Sequence, residues 1–215
     1  MTEPTYLRDT RDGYDKISAD YAERFPTMLV DGPLGRAMLT AFAESVQAAG
    51  GGPVVEVGSG AGRVTGYLDS LGVRVSGVDL SPAMVALARR NHPELRFEEG
   101  SMTALDLPDG SLAGLVAWYS VIHVPPELHP GVFAEFHRVV APDGHLLVGF
   151  QVGDEPLSFT EAFGHTVSLD FHRLSPDRVS DALEKAGFTV EARLVREPSG
   201  DEKVPQAYLM ARRRA

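Results

Sequence analysis

The chain has 215 residues, 43% hydrophobic and 23% charged, with a formal net charge of −10 and no cysteine. That balance fits one globular domain with a real core and excludes a disordered or fibrous chain. The acidity argues against a nucleic-acid backbone as main partner, and the missing cysteine removes disulfides, thiolate metal sites and cysteine nucleophiles. The first twelve residues hold no apolar signal core. No apolar run reaches the roughly 20 residues of a membrane helix. A soluble, cytoplasmic protein without a membrane partner is therefore expected. Arg212 to Arg214 read as a solvated C-terminal tail.

Tyr14, Ile17, Tyr21 and Phe25 recur in steps of three and four, which predicts a helix over 14–25, stopped by Pro26. A second helix is expected over 34–49, with Leu34, Met38, Phe42 and Val46 in line. Gly50-Gly51-Gly52-Pro53 breaks it before an apolar strand at 54–57. Gly58, Gly60 and Gly62 turn that strand into a helix over 64–71. Gly72 ends the helix, and a second strand over 73–78 delivers Asp79 at its end. Ser81-Pro82 opens a helix to about Asn91. A short strand at 95–98, an irregular connection at 101–110 and an uncharged, hence central, strand at 112–118 follow. A helix over about 130–140 and the turn Pro142-Asp143-Gly144 lead to a strand at 145–150.

Alternating helix and strand signify a parallel sheet with helices on both faces. The tail differs: a helix at 175–186 precedes two strands, 188–195 and 203–212, with no helix between them. Those two should pair antiparallel, and Pro205 fits the start of an edge strand. The expected fold is α/β, Rossmann-like and doubly wound, with a mostly parallel seven-stranded sheet, a C-terminal antiparallel hairpin and helices on both faces.

In such sheets ligands sit beyond the C-terminal strand ends, at the first strand's turn. Gly58 and Gly60 match a dinucleotide loop, but Arg63 stands at its third glycine and the extra glycine falls at 62. The lysine of a P-loop is missing. Two acids flank the turn. Asp79, 19 residues after Gly60, can accept hydrogen bonds from both ribose hydroxyls. Glu56 would repel a pyrophosphate and suits a cation or donor. A ligand with ribose, no phosphate and an amino-acid or sulfonium cation fits both acids; S-adenosylmethionine is such a ligand.

Glu56-x-Gly58-x-Gly60-x-Gly62 resembles the first motif of the class I S-adenosylmethionine-dependent methyltransferases of small-molecule type. Asp79 resembles that family's ribose-binding acid, and Ser101-Met102 sits where the family holds adenine. Residues 108–112, 118–124, 136–139 and Pro142-x-Gly144 are similar to its later motifs. The resemblance runs from about residue 14 to the C-terminus. It departs at Ser101, where many relatives have aspartate, and at Leu112-Ala113, where many have Phe-Asp. It implies one methyltransferase domain over 1–215, with cofactor-covering helices within 1–50 and a less regular substrate lid at 151–174.

As cofactor-binding residues it implies Tyr14, Tyr21, Glu56, Gly58, Ser59, Gly60, Arg63, Asp79, Leu80, Met84, Ser101, Met102 and Trp118. Tyr119, His165, His172 and Arg173 are the expected substrate contacts, with no metal site. His123, just past the fourth strand, is the candidate catalytic base, since an imidazole titrates near neutrality. The alternative for His123 is a structural histidine bonding backbone. The product would be S-adenosyl-L-homocysteine and the acceptor a small molecule. Trp118-Tyr119-Ser120-Val121 is unlike the Asn-Pro-Pro-Tyr motif, which disfavours methylation of bases or glutamine amides. Two rivals stand beside this reading. One is a cofactor-binding protein of the same fold without methyl transfer. The other is a nicotinamide oxidoreductase, which Arg63 and Glu56 disfavour.

Overall fold

A computed structural model describes residues 3–24, 32–200 and 202–214; Phe25 and Pro26 lie outside the described residues. The elements are α1 (Thr5–Arg24), α2 (Gly32–Ala48), β1 (Val54–Val57), α3 (Arg63–Ser70), β2 (Val75–Asp79), α4 (Pro82–Asn91), β3 (Phe97–Glu99) and β4 (Leu112–Trp118). They continue with α5 (His129–Val139), β5 (Val140–Gln151), β6 (Leu157–Ala162), β7 (His165–Phe171), α6 (Pro176–Lys185), β8 (Phe188–Arg196) and β9 (Gln206–Arg213). A seven-stranded sheet has the order β3-β2-β1-β4-β5-β9-β8, parallel from β3 to β5. β9 runs antiparallel to both β5 and β8.

The β4 sequence is apolar on both faces because both faces are covered. Leu115 and Ala117 pack with Phe133, Phe136 and Leu183 of α5 and α6. Val116 and Trp118 pack with Phe42 and Leu68 of α2 and α3. Such two-sided burial is what an uncharged central strand requires.

Several expectations change. The last strand is interior, inserted between β5 and β8, and β8 is the edge. Pro205 is accommodated because it precedes β9, and its carbonyl accepts from the Val152 N–H at 2.8 Å. The arginine run is not a free tail. Arg212 pairs with Glu191 and Asp143, each at 2.8 Å, Arg213 donates to the Val140 carbonyl and Arg214 to that of Glu184. α1 starts at Thr5, nine residues before the expected start. α2 does not cover a ligand site: Met38, Leu39, Phe42, Ala43 and Val46 are buried in the sheet-side core, while Leu34 is exposed. Residues 157–171 are a two-stranded antiparallel hairpin, not irregular chain. Phe163 (φ 52°) and Gly164 (φ 80°) close it with the double positive φ of a tight hairpin turn. Among the described residues no helix is long and apolar enough to cross a membrane.

Candidate functional site

Strand order reverses between β1 and β4, and a cavity of about 700 Å3 opens beyond their C-terminal ends. The glycine turn forms its floor. At Gly58 (φ +71°) an added Cβ would lie 2.3 Å from Ser120 Cβ, so glycine lets the β1 turn touch the end of β4. Ser120 holds that junction by donating to the Val57 carbonyl at 2.7 Å. Gly60 (φ +52°) has no heavy atom within 4 Å of where a Cβ would stand, so the turn presents bare backbone to open space.

Asp79 is held in place by backbone amides at the cavity edge. Its Oδ2 accepts from the Gly60 N–H at 2.7 Å and its Oδ1 from the Ser81 N–H at 2.9 Å. A carboxylate has about four acceptor positions, so these amides leave it acceptor capacity toward the cavity that it lines. Burial raises the Asp79 pKa, and backbone donors at Ser81, Gly60 and Leu80 oppose that shift. Glu56 is 2% exposed and accepts from Thr65 Oγ1 at 2.5 Å. Burial pushes its carboxyl up to about 8, against the hydrogen bonds from Thr65. A buried acid with one neutral partner is a site that a ligand cation would relieve.

α1 is the roof. Asp15 fastens it to the start of α4, accepting from Ser81 Oγ at 2.5 Å and the Ala83 N–H at 3.1 Å. Tyr14 and Tyr21 line the cavity, meeting edge to face at 6.3 Å. Arg63 donates to Tyr21 Oη at 2.7 Å and lies over its ring. Tyr14 Oη is 2.9 Å from His123 Nε2, and His123 Nδ1 is 2.9 Å from the Asp170 carbonyl oxygen. A carbonyl only accepts, so Nδ1 carries the proton and Nε2 accepts from Tyr14.

The remaining sequence-chosen residues divide. Gly58, Leu80, Met84, Ser101, Met102, Trp118 and Tyr119 all line the cavity. The Ser101 hydroxyl is already engaged by Thr103 at 2.8 Å. Ser59 borders the cavity, but its hydroxyl lies over Gly77, where a Cβ would be 2.7 Å away. Trp118 also stacks on Tyr208 at 4.8 Å. Three expected substrate contacts lie elsewhere. His165 bonds Asp20 at 2.8 Å and pins the hairpin to α1. His172 borders a smaller outer cavity, and Arg173 packs along Gly153. His165 shares the parity of Leu169 and Phe171 but stands at the turn end of β7, over Asp20, and His172 and Arg173 lie past the end of β7. The inner hairpin face carries Leu157, Phe159, Leu169 and Phe171, which line the cavity and which sequence reasoning passed over. Their signal was present in the alternation Leu157-x-Phe159 and Val167-x-Leu169-x-Phe171.

Residues 54–144 match the family model described as a methyltransferase domain. The match covers less than half of the chain; together with the fold it supports the likeness to class I S-adenosylmethionine-dependent methyltransferases. A probable S-adenosylmethionine-dependent methyltransferase of Mycolicibacterium smegmatis is 31% identical over 144 residues, covering 66% of this chain and 53% of that protein. The chain spans about half the length of the curated relatives it matches. Among solved structures, the 1,6-didemethyltoxoflavin-N1-methyltransferase of Burkholderia thailandensis holds 1,6-didemethyltoxoflavin and S-adenosylhomocysteine. It aligns with a TM-score of 0.73 at 20% identity, covering 100% of this chain and 92% of that one. The [4+2]-cyclase SpnF aligns with a TM-score of 0.76 at 16% identity, covering 100% and 99%.

Proposed function

We propose that this protein binds S-adenosylmethionine beneath α1 and transfers its methyl group to a small-molecule acceptor held by the 151–174 segment. The observation that carries the reading is Asp79, poised by the Gly60 and Ser81 amides at the edge of a cavity whose floor is bare Gly60 backbone. Those residues fit a ribose. Buried Glu56 fits the ligand's amino-acid cation, and Leu80 and Met84 offer apolar surface to a purine ring. When bound, S-adenosylmethionine supplies a methyl carbon activated by a sulfonium. The protein's part is to orient it, exclude water and manage the acceptor's proton. The hairpin's inner face, with Phe159 and Phe171 in edge contact at 5.4 Å, supports an apolar acceptor.

Calorimetry with S-adenosylhomocysteine tests the cofactor assignment: wild type should bind and Asp79→Ala should bind far more weakly. Release of demethylated cofactor with an acceptor panel tests the chemistry. The likeness to SpnF supports a second reading, a non-methylating enzyme on the same scaffold. Tight binding with product formation but no demethylated cofactor would select it.

A further inference from the structure

The geometry points to Tyr14 and His123 as a proton relay that takes the proton of a hydroxyl acceptor and passes it out of the cavity, an inference that rests on the methyl-transfer reading above. Three distant elements meet to build it. Tyr14 comes from α1, His123 from the turn after β4 and the Asp170 carbonyl from β7. The Asp170 carbonyl fixes the imidazole tautomer, so the basic Nε2 is turned to Tyr14 Oη. His123 therefore meets the acceptor through Tyr14, whose oxygen keeps acceptor capacity toward the cavity it lines.

His123 also stands in the wall between two cavities. Its second side borders the outer one, about 340 Å3, lined by Asp9 and Glu127 as well as Asp170 and His172. Those groups face the imidazole from outside, while Tyr21, Asp79 and Arg63 act on Tyr14 from inside. Backbone repair of this turn is done by another residue: buried His129 Nε2 bonds the Val121 and Val124 carbonyls at 3.1 and 3.0 Å. Among the described residues the His123 imidazole bonds no carbonyl of its own turn; its one backbone partner is the Asp170 carbonyl of β7.

The acceptor class follows from the make-up of the pair, a phenol donating to an imidazole that a backbone carbonyl orients, with no carboxylate among the described residues bonded to either, and the effect of burial agrees with it. Burial pushes His123 down to about 4 and holds Tyr14 well above its ordinary value, so the pair is neutral and weakly basic at neutral pH. A hydroxyl oxygen turns strongly acidic as it gains a methyl group and can protonate a weak base. A methylated amine keeps its proton. In the step, the acceptor oxygen bonds the methyl carbon while the carbon–sulfur electron pair stays on sulfur. The acceptor proton moves to Tyr14 Oη and the Tyr14 proton to His123 Nε2. The products are a neutral methyl ether, neutral tyrosine and an imidazolium that discharges to solvent through the outer cavity.

Two measurements on the full-length protein test this. In the first, 15N-imidazole NMR with S-adenosylhomocysteine bound should show His123 neutral and protonated on Nδ1 between about pH 6 and 8. Tyr14→Phe should shift the Nε2 resonance. The Nε2–H tautomer, or ordinary titration near neutrality, overturns the relay. In the second, labelled S-adenosylmethionine is offered with a panel of phenols, enols and aliphatic amines. Methylation is expected in the hydroxyl arm. Tyr14→Phe and His123→Gln should each lower kcat by ~10²–10⁴-fold, and the double variant by no more than the worse single one. The S-adenosylhomocysteine affinity of His123→Gln should stay within about threefold of wild type, since that change alters neither Asp79 nor the glycine turn. Methylation of amines only, no turnover across the panel, or a single variant that keeps kcat overturns the proposal. Failure of wild type to bind S-adenosylhomocysteine instead overturns the underlying reading, so the two failures are distinguishable.

Discussion

On the β1–β2 side of the cavity the wall is backbone and carboxylate: Gly58, Gly60, Glu56 and Asp79, three of them within five residues. On the hairpin side it is apolar side chains, with Leu157 and Phe159 still 37% and 38% exposed beside buried Leu169. The first wall is rigid and polar and suits one ligand with fixed donors. The second is a two-stranded sheet outside the main one, held by side-chain bonds such as His165 to Asp20. Such a surface is easily varied without disturbing the sheet, which is how one fold serves many acceptors.

The sharpest way to break this contrast is to compare two glycines of the same turn. Gly58→Ala places its Cβ 2.3 Å from Ser120 Cβ at φ +71°. It should cost about 2–4 kcal/mol in urea unfolding and abolish S-adenosylhomocysteine binding. Gly60→Ala meets nothing within 4 Å. It should cost only about 1 kcal/mol of stability while blocking the ligand's space. Equal stability losses would erase the distinction between a turn that fits the fold and one that fits a ligand.

Asp79→Ala should weaken S-adenosylhomocysteine binding by about 1–3 kcal/mol, read by calorimetry. Unchanged affinity would remove Asp79 from the site. For Glu56 the signature is pH. Its folded-state pKa, about 8, lies above the ordinary carboxylate value, so between those values the folded state holds the proton that the unfolded state has lost. Its contribution to ligand-free stability thus falls as pH rises from about 4.5 to 8, by at most about 1.4 kcal/mol per pH unit. Urea midpoints across that window should decline in wild type and be flatter in Glu56→Gln. The smallest effect belongs to the hairpin. Phe159→Ser should raise the acceptor KM about tenfold, roughly 1.4 kcal/mol of lost apolar contact, and leave S-adenosylhomocysteine affinity unchanged. A change in both would mean the two walls share one ligand.

The legible parts share one property, which is short sequence separation. β1 and β4 carry the expected bounds because their signals, an apolar run and a flanking break, are local. Asp79 was found because a strand end after a glycine turn places it by covalent geometry. Gly13 shows the opposite. It stands just before the expected helix start, yet it lies inside α1 and is a notch: a Cβ there would stand 2.6 Å from Leu169 Cδ2. The close approach of α1 to β7 demands glycine, and no local pattern announces a partner 156 residues away. His165 and His172 looked like substrate ligands by residue type, but His165 is spent on anchoring the hairpin to α1, and His172, past the end of β7, borders the outer cavity.

The sequence by itself determined the alternation of elements, the glycine turn and the two acids around it, because these follow from backbone preferences and periodicity over a few residues. Only the tertiary structure decided that β9 lies inside the sheet, that residues 157–171 form an apolar wall, and that Tyr14 takes the lone pair of His123. Each depends on groups far apart in the chain meeting at van der Waals or hydrogen-bond distance, and Tyr14 and His123, 109 residues apart, meet only when α1 closes over the ends of β1 and β4.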